Sequence, residues 1–146
     1  MFKTILLAYN GTKEGKSALL DCSEIAAFEK ATDIHLLAVV NTPSVILMSE
    51  SYMPAELLEA ETKHGQEVLD EGVEHLKQLG FRATGHLAIG EPMEEIRRLA
   101  NEVKVDLIVL GHNQNVPLTS RWWRGSVGKT LLDHSPCCVY VAKTRK

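Results

Sequence analysis

Two short runs of unbroken apolar residues constrain this chain most: Ile5-Leu6-Leu7-Ala8 and Leu107-Ile108-Val109-Leu110. A strand that is apolar at successive positions must be covered on both faces, as the central strands of a parallel sheet are. Each run ends in turn chemistry, Asn10-Gly11-Thr12 after the first and Gly111 after the second. The stretches between such runs carry apolar residues at three-to-four spacing, which is helical. Strand and helix therefore alternate, and the chain is expected to form an α/β fold with a doubly wound five-stranded parallel sheet and helices on both faces.

The expected strands are 4–9, 34–40, 82–88, 107–110 and 137–141. A first helix follows Thr12, a suitable N-cap, and turns Gly15, Ala18, Leu19, Cys22, Ile25 and Ala26 to one side. A long second helix spans 55–79 with an inner face of Leu58, Gly65, Leu69, Gly72, Val73 and Leu76, and Gly80 caps it. Its two glycines cost helix propensity, which close packing against a neighbour would explain. Pro92 opens a third helix with Ile96, Leu99 and Val103 inward. A fourth covers 126–134, and Pro136 separates it from the last strand. Residues 41–54 form an irregular, partly apolar connection. Right-handed crossovers allow the order 3-2-1-4-5, which a family resemblance described below implies. The chain's direction of travel then reverses between strands one and four, and their C-terminal ends make a ligand crevice.

A chain of 146 residues suits one domain spanning 1–146. Sixteen basic and 19 acidic residues leave a net charge of −3, which argues against a general nucleic-acid binder. No apolar run reaches membrane-spanning length, so no membrane partner is expected. Met1-Phe2-Lys3 leads straight into a strand, without a signal peptide. Cys22, Cys137 and Cys138 lack framework spacing, which fits a reducing cytoplasm. Cys137 and Cys138 should point to opposite sides of a strand, so a disulfide between them is not expected. His35, His64, His75, His86, His112 and His134 show no ligand pattern such as H-E-x-x-H, and no metal site is expected. No catalytic group is assigned.

Chemistry concentrates in two places. Gly125-Ser126 opens a helix, where unpaired N–H groups and the positive dipole end suit phosphate. A plain N-cap has the same appearance. Arg121 and Arg124 flank the pair, as phosphate partners or as surface arginines. Trp122-Trp123 reads as a loop anchor or as a cover for a pocket or partner. The second place is Asn10-Gly11-Thr12-Lys13-Glu14-Gly15-Lys16-Ser17, which has P-loop spacing except that Asn10 stands for the first glycine. No later strand supplies the magnesium-binding Asp that such a loop needs, and Gly15 lies in phase with the buried helix face. The match is read as chance. A phosphoacceptor receiver is excluded by Tyr9-Asn10 and Ala88-Ile89, where acidic residues would be required.

Several of these segments together resemble the universal stress protein family. They are Ile5 to Thr12, the second strand His35-Leu36-Leu37-Ala38-Val39-Val40, Gly90-Glu91-Pro92, Gly111 with the later Gly125-Ser126, and the ending Ser135 to Val141. The resemblance covers nearly the whole chain and implies the adenine nucleotide alpha hydrolase-like fold. It implies that ATP or a related adenine nucleotide, with Mg2+, is bound as a regulatory ligand in a stress response, with no dedicated catalysis. It places Asn10, Gly11 and Thr12 at ribose and adenine, and Val39 or Val40 against adenine. Leu110 and Gly111 then lie under the phosphates, with Gly125, Ser126 and Val127 donating to them. It also implies a homodimer through strand five at Val139, Tyr140 and Val141. Two departures bear on affinity. The family's second glycine is met here by Gln114 or Asn115, with one residue added before it, and Asn10 stands where many members carry Asp. Asn115 can hold a left-handed turn but not the close backbone approach of glycine. The alternative is a dimeric interaction module that has lost tight nucleotide binding. A third reading is a P-loop-like phosphotransfer enzyme using Lys16.

Overall fold

The structure, a computed structural model, describes residues 3–9, 16, 17, 20, 32–40, 55–90, 92–113 and 137–144. Its strands are β1 (Thr4–Tyr9), β2 (Asp33–Val40), β3 (Arg82–Ile89), β4 (Leu107–Asn113) and β5 (Cys138–Thr144). They form one sheet in the order β3-β2-β1-β4-β5, and every pairing is parallel. The expected order is thus the observed one, with β1 in the middle.

Side chains alternate across the sheet with period two. Ile5, Leu7 and Tyr9 of β1, Ile34, Leu36 and Ala38 of β2, and Leu107 and Val109 of β4 share one core. Leu6 and Ala8, Leu37 and Val39, and Ile108 and Leu110 share the other. Helix α1 (Ala55–Gln78) packs on the first face through Val68, Leu69 and Leu76. Helix α2 (Pro92–Val103) packs on the second through Ile96, Leu99 and Ala100. Burying one such aliphatic side chain contributes roughly 1.5–3 kcal/mol, so double coverage is what makes the unbroken apolar runs stable. Lys16, Ser17 and Leu20 are helical, and Leu20 joins the α1-side core. The other residues of the expected first helix, residues 41–54 and the expected fourth helix lie outside the described residues.

Both described helices end in a reversed turn. Gly80 has φ 98°, its N–H donates to Lys77 O at 2.9 Å, and Phe81 N–H donates to Leu76 O at 3.1 Å. That is a Schellman cap, and Phe81 and Leu76 also share the core cluster. At the end of α2 the same reversal is made without glycine. Lys104 has φ 55°, and Val105 N–H donates to Ala100 O at 3.1 Å.

The helix glycines are explained unequally. A Cβ at Gly72 would lie 2.7 Å from Leu36 Cδ2, so α1 approaches β2 there as only glycine permits. A Cβ at Gly65 would meet Val40 Cγ2 at 3.4 Å and Leu87 Cδ1 at 3.6 Å, near ordinary contact. Strand boundaries also differ from the sequence reading. β4 does not stop at Leu110 but continues through Gly111, His112 and Asn113, because β5 runs beside it in register to Thr144. A paired neighbour supplies backbone hydrogen bonds that outweigh glycine's weak strand preference. His112, two residues beyond the expected end of this strand, is therefore in β4 opposite Lys143.

Candidate functional site

The strand order reverses at β1. Tyr9, its last residue, is level with Ala38 of β2, and Ala8 is level with Leu110 of β4. Tyr9 therefore stands level with Gly111. β2 continues past this line through Val39 and Val40, and β4 through His112 and Asn113. The C-terminal ends of β1, β2 and β4 therefore lie together at one rim of the sheet. Such a reversal point is where open parallel sheets hold ligands.

At this rim Val39 and Val40 flank the end of β1 on one side and Gly111 on the other. Val39 and Leu110 are wholly buried beneath α2, while Val40 packs against Gly65 of α1. Val40 O accepts the Gly90 N–H at 3.0 Å, and Gly90 has φ 153°, a conformation side chains resist. Asn10, Gly11, Thr12, Asn115, Gly125, Ser126 and Val127 lie outside the described residues. So do Gln114, Arg121, Trp122, Trp123 and Arg124.

Tyr9 was not singled out by the sequence, yet it stands at the reversal line with its side chain in the α1-side core. It is 1% exposed, and its hydroxyl has no hydrogen-bond partner among the described residues. Burial pushes this phenol well above the usual tyrosine range, and the Asp70 and Glu71 carboxylates push it further. The only available signal was a polar tip ending an otherwise aliphatic strand.

A separate cavity of about 620 Å³ lies between the first helical segment and α1, lined by Lys16, Ser17, Leu20, Asp70, Glu71, Glu74, His75 and Gln78. It is not at the strand ends. Gly65 of α1 is beside Val40 at the rim, and Gly72 is beside Leu36 lower down, so Glu74 to Gln78 lie toward the opposite edge. Lys16 Nζ donates to Glu71 Oε2 at 3.0 Å, which places its ammonium on α1. Among the described residues no three His, Cys, Asp or Glu side chains gather around a common point. No helix of the described residues is long and apolar enough to cross a membrane.

The family model described as the Universal stress protein family matches residues 1–143. The chain belongs to the universal stress protein family. A universal stress protein of Staphylococcus haemolyticus is 28% identical over 99% of this chain and 87% of its own length. A solved universal stress protein family structure from Burkholderia pseudomallei is 26% identical and has a TM-score of 0.69. It covers 95% of this chain and 94% of its own. A family structure from Arabidopsis thaliana, solved with AMP bound, has a TM-score of 0.65 at 17% identity, covering 98% and 92%. These likenesses extend over the five-stranded sheet and its helices.

Proposed function

We propose that this universal stress protein binds ATP or a related adenine nucleotide as a regulatory ligand, in the cytoplasm, with no dedicated catalytic step. The observation that carries this reading is the strand reversal that brings the C-terminal ends of β1, β2 and β4 to one rim, in a family with a member solved with AMP bound. Val39 and Leu110 have buried side chains, so their contribution is main-chain: backbone groups near the strand ends suit the polar edge of a base and a ribose. The proposed site takes in Asn10, Gly11 and Thr12, which follow β1 in the sequence. Gly111 flanks it, and the phosphates belong at Gly125, Ser126 and Val127, with Mg2+ where a triphosphate is bound. Lys16 is committed to Glu71 and has no part in the site.

The loop after β4 sets the affinity. Gln114 and Asn115 replace one glycine, and a side chain at this position occupies space beside the phosphates. Each backbone hydrogen bond to charged phosphate that is lost costs roughly 1.5–3 kcal/mol, on the order of tenfold to a hundredfold in affinity. Calorimetric titration with ATP and AMP should compare the wild type with a variant lacking Gln114 and carrying Asn115→Gly. Tighter ATP binding by the variant, with AMP less affected, is the expected result. No binding of either nucleotide to either protein would overturn nucleotide binding and favour the interaction-module reading. Mass spectrometry of ligand released from freshly purified protein is the independent check.

A further inference from the structure

β3 is lightly held. Among the described residues its one strand neighbour is β2, and Ala88 is the only buried residue of the strand. Ala83 and Leu87 are partly buried against the α1-side core, and Gly85 between them has no side chain to add. On the α2 face one side-chain contact ties this edge down. His35 Nδ1 of β2 and His86 Nε2 of β3 meet at 2.9 Å, a hydrogen-bond distance. His35 is level with Thr84 and His86 with Leu37, so the bond is diagonal across the ladder. Both histidines are half-buried.

A bond between two imidazoles depends on how many protons the pair holds. In the neutral pair one facing nitrogen carries a hydrogen and donates it, and the other accepts through its lone pair. A first added proton goes to the outer nitrogen of the donor ring. The bond survives, now with a charged donor. A second proton has only one place to go, the accepting lone pair itself. Two N–H groups and two positive charges then face each other. The surroundings offer little relief. Asp33 of β2 acts on His35 but is paired with Arg82 of β3 at 3.2 Å, and Glu102 of α2 acts on His86 but is paired with Arg98 at 3.5 Å. β1 presents apolar Leu6 level with His35. We propose that the His35–His86 bond is an acid-released fastening, which holds β3 to β2 with up to one added proton and lets the edge strand open when a second binds. Burial holds both histidines below their ordinary value of 6.5, and the charge of His35 lowers His86 further. The folded state therefore prefers the less protonated pair. The stability that this gives is complete above pH 6.5 and is lost as pH falls through the lowered folded values. Opening is confined to the edge because β3 buries so little, whereas β1 is covered on both faces. The fastening does not depend on what the rim binds.

The test is amide hydrogen exchange of the intact chain, read residue by residue by NMR from about pH 7.5 down to about pH 4.5 and corrected for intrinsic rates. Imidazole nitrogen shifts are followed over the same range. The expected result is two separate histidine steps below pH 6.5. At the second step the amides of β3 should lose roughly threefold to tenfold in protection, the size of one net hydrogen bond, while those of β1 hold. His86→Gln supplies an amide that can serve His35 as donor or acceptor without titrating, so the release should vanish. His86→Leu should give β3 its low-pH protection at every pH. Two independent steps in the ordinary histidine range would overturn the fastening, as would a release kept in His86→Gln or full neutral-pH protection in His86→Leu. Equal loss at β1 and β3 would overturn it too, since that is acid unfolding of the whole sheet.

Discussion

A buried hydroxyl without a partner costs stability, and among the described residues that of Tyr9, at the end of β1, has none. Leaving such a group unsatisfied costs about 1–3 kcal/mol, so Tyr9→Phe should stabilise the nucleotide-free protein, by about 1 kcal/mol. Urea denaturation measures it, and a loss of stability would mean that the hydroxyl is in fact satisfied. Asp106 is the opposite case, an exposed carboxylate with two backbone donors. Its Oδ2 accepts the Lys3 N–H at 2.8 Å and the Thr4 N–H at 3.1 Å, while its own N–H donates to Thr4 O at 2.8 Å. These bonds tie the start of β1 to the start of β4. The Lys3 and Thr4 bonds hold its carboxyl below the usual range of 3.8. The folded state therefore favours the ionised form. The stability that it contributes is complete above pH 3.8 and is lost as pH falls through the folded value. Asp106→Asn should lower the urea midpoint at neutral pH and make little difference at about pH 2. An equal deficit at both would assign the effect to geometry instead of charge.

Within α1, two glycines on one face should respond differently to the same change. Gly65→Ala adds a methyl at near-ordinary contact distance and removes the entropy cost of glycine, so it should stabilise the fold by roughly 0.5–1 kcal/mol. Gly72→Ala drives a methyl into Leu36, which is wholly buried, and overpacking of that kind costs roughly 1–3 kcal/mol. Thermal melts of the two variants should shift in opposite directions, and a shared direction would mean that α1 moves freely over β2. This contrast also marks what the sequence makes legible. Glycines in a helix announce close packing, but only the partner strand tells which one is tight. The inward faces of α1 and α2 and the central place of β1 and β4 are readable because they rest on local period and on unbroken apolar runs, while the full strand order is readable only with the family resemblance. The extension of β4 through Gly111 is not readable, since it depends on β5 lying alongside. The meeting of His35 with His86, 2.9 Å apart across β2 and β3, is hidden for the same reason. Of the expected site, Val39, Val40, Leu110 and Gly111 are brought to one rim, while Asn10 and the segment from Asn115 to Val127 are outside the described residues.

At the scale of the whole molecule, the two edges of the sheet are unequal. Among the described residues β3 and β5 each have one strand neighbour. An unpaired edge invites association unless charge or irregularity blunts it. β3 is blunted by exposed Arg82, by the His86 pair and by Gly85, which has no side chain to offer a partner. β5 instead presents Tyr140, 40% exposed, beside exposed Cys138. We therefore propose that two copies pair through β5 about a two-fold axis, an isologous contact in which Tyr140 and its neighbours meet their own counterparts. Val139, expected in the contact, packs inward against the α2-side core, so a charge there would disturb the fold as well as any dimer. Tyr140→Asp is the cleaner probe. It sets like charges close together across the axis while leaving the core untouched. Light scattering at tens of micromolar should give twice the mass of one chain for the wild type, one chain for Tyr140→Asp, and twice again for the control Thr84→Asp on β3. A wild type that stays monomeric rules out the β5 dimer at this concentration. A dimer lost with Thr84→Asp and kept with Tyr140→Asp would move the contact to the opposite edge.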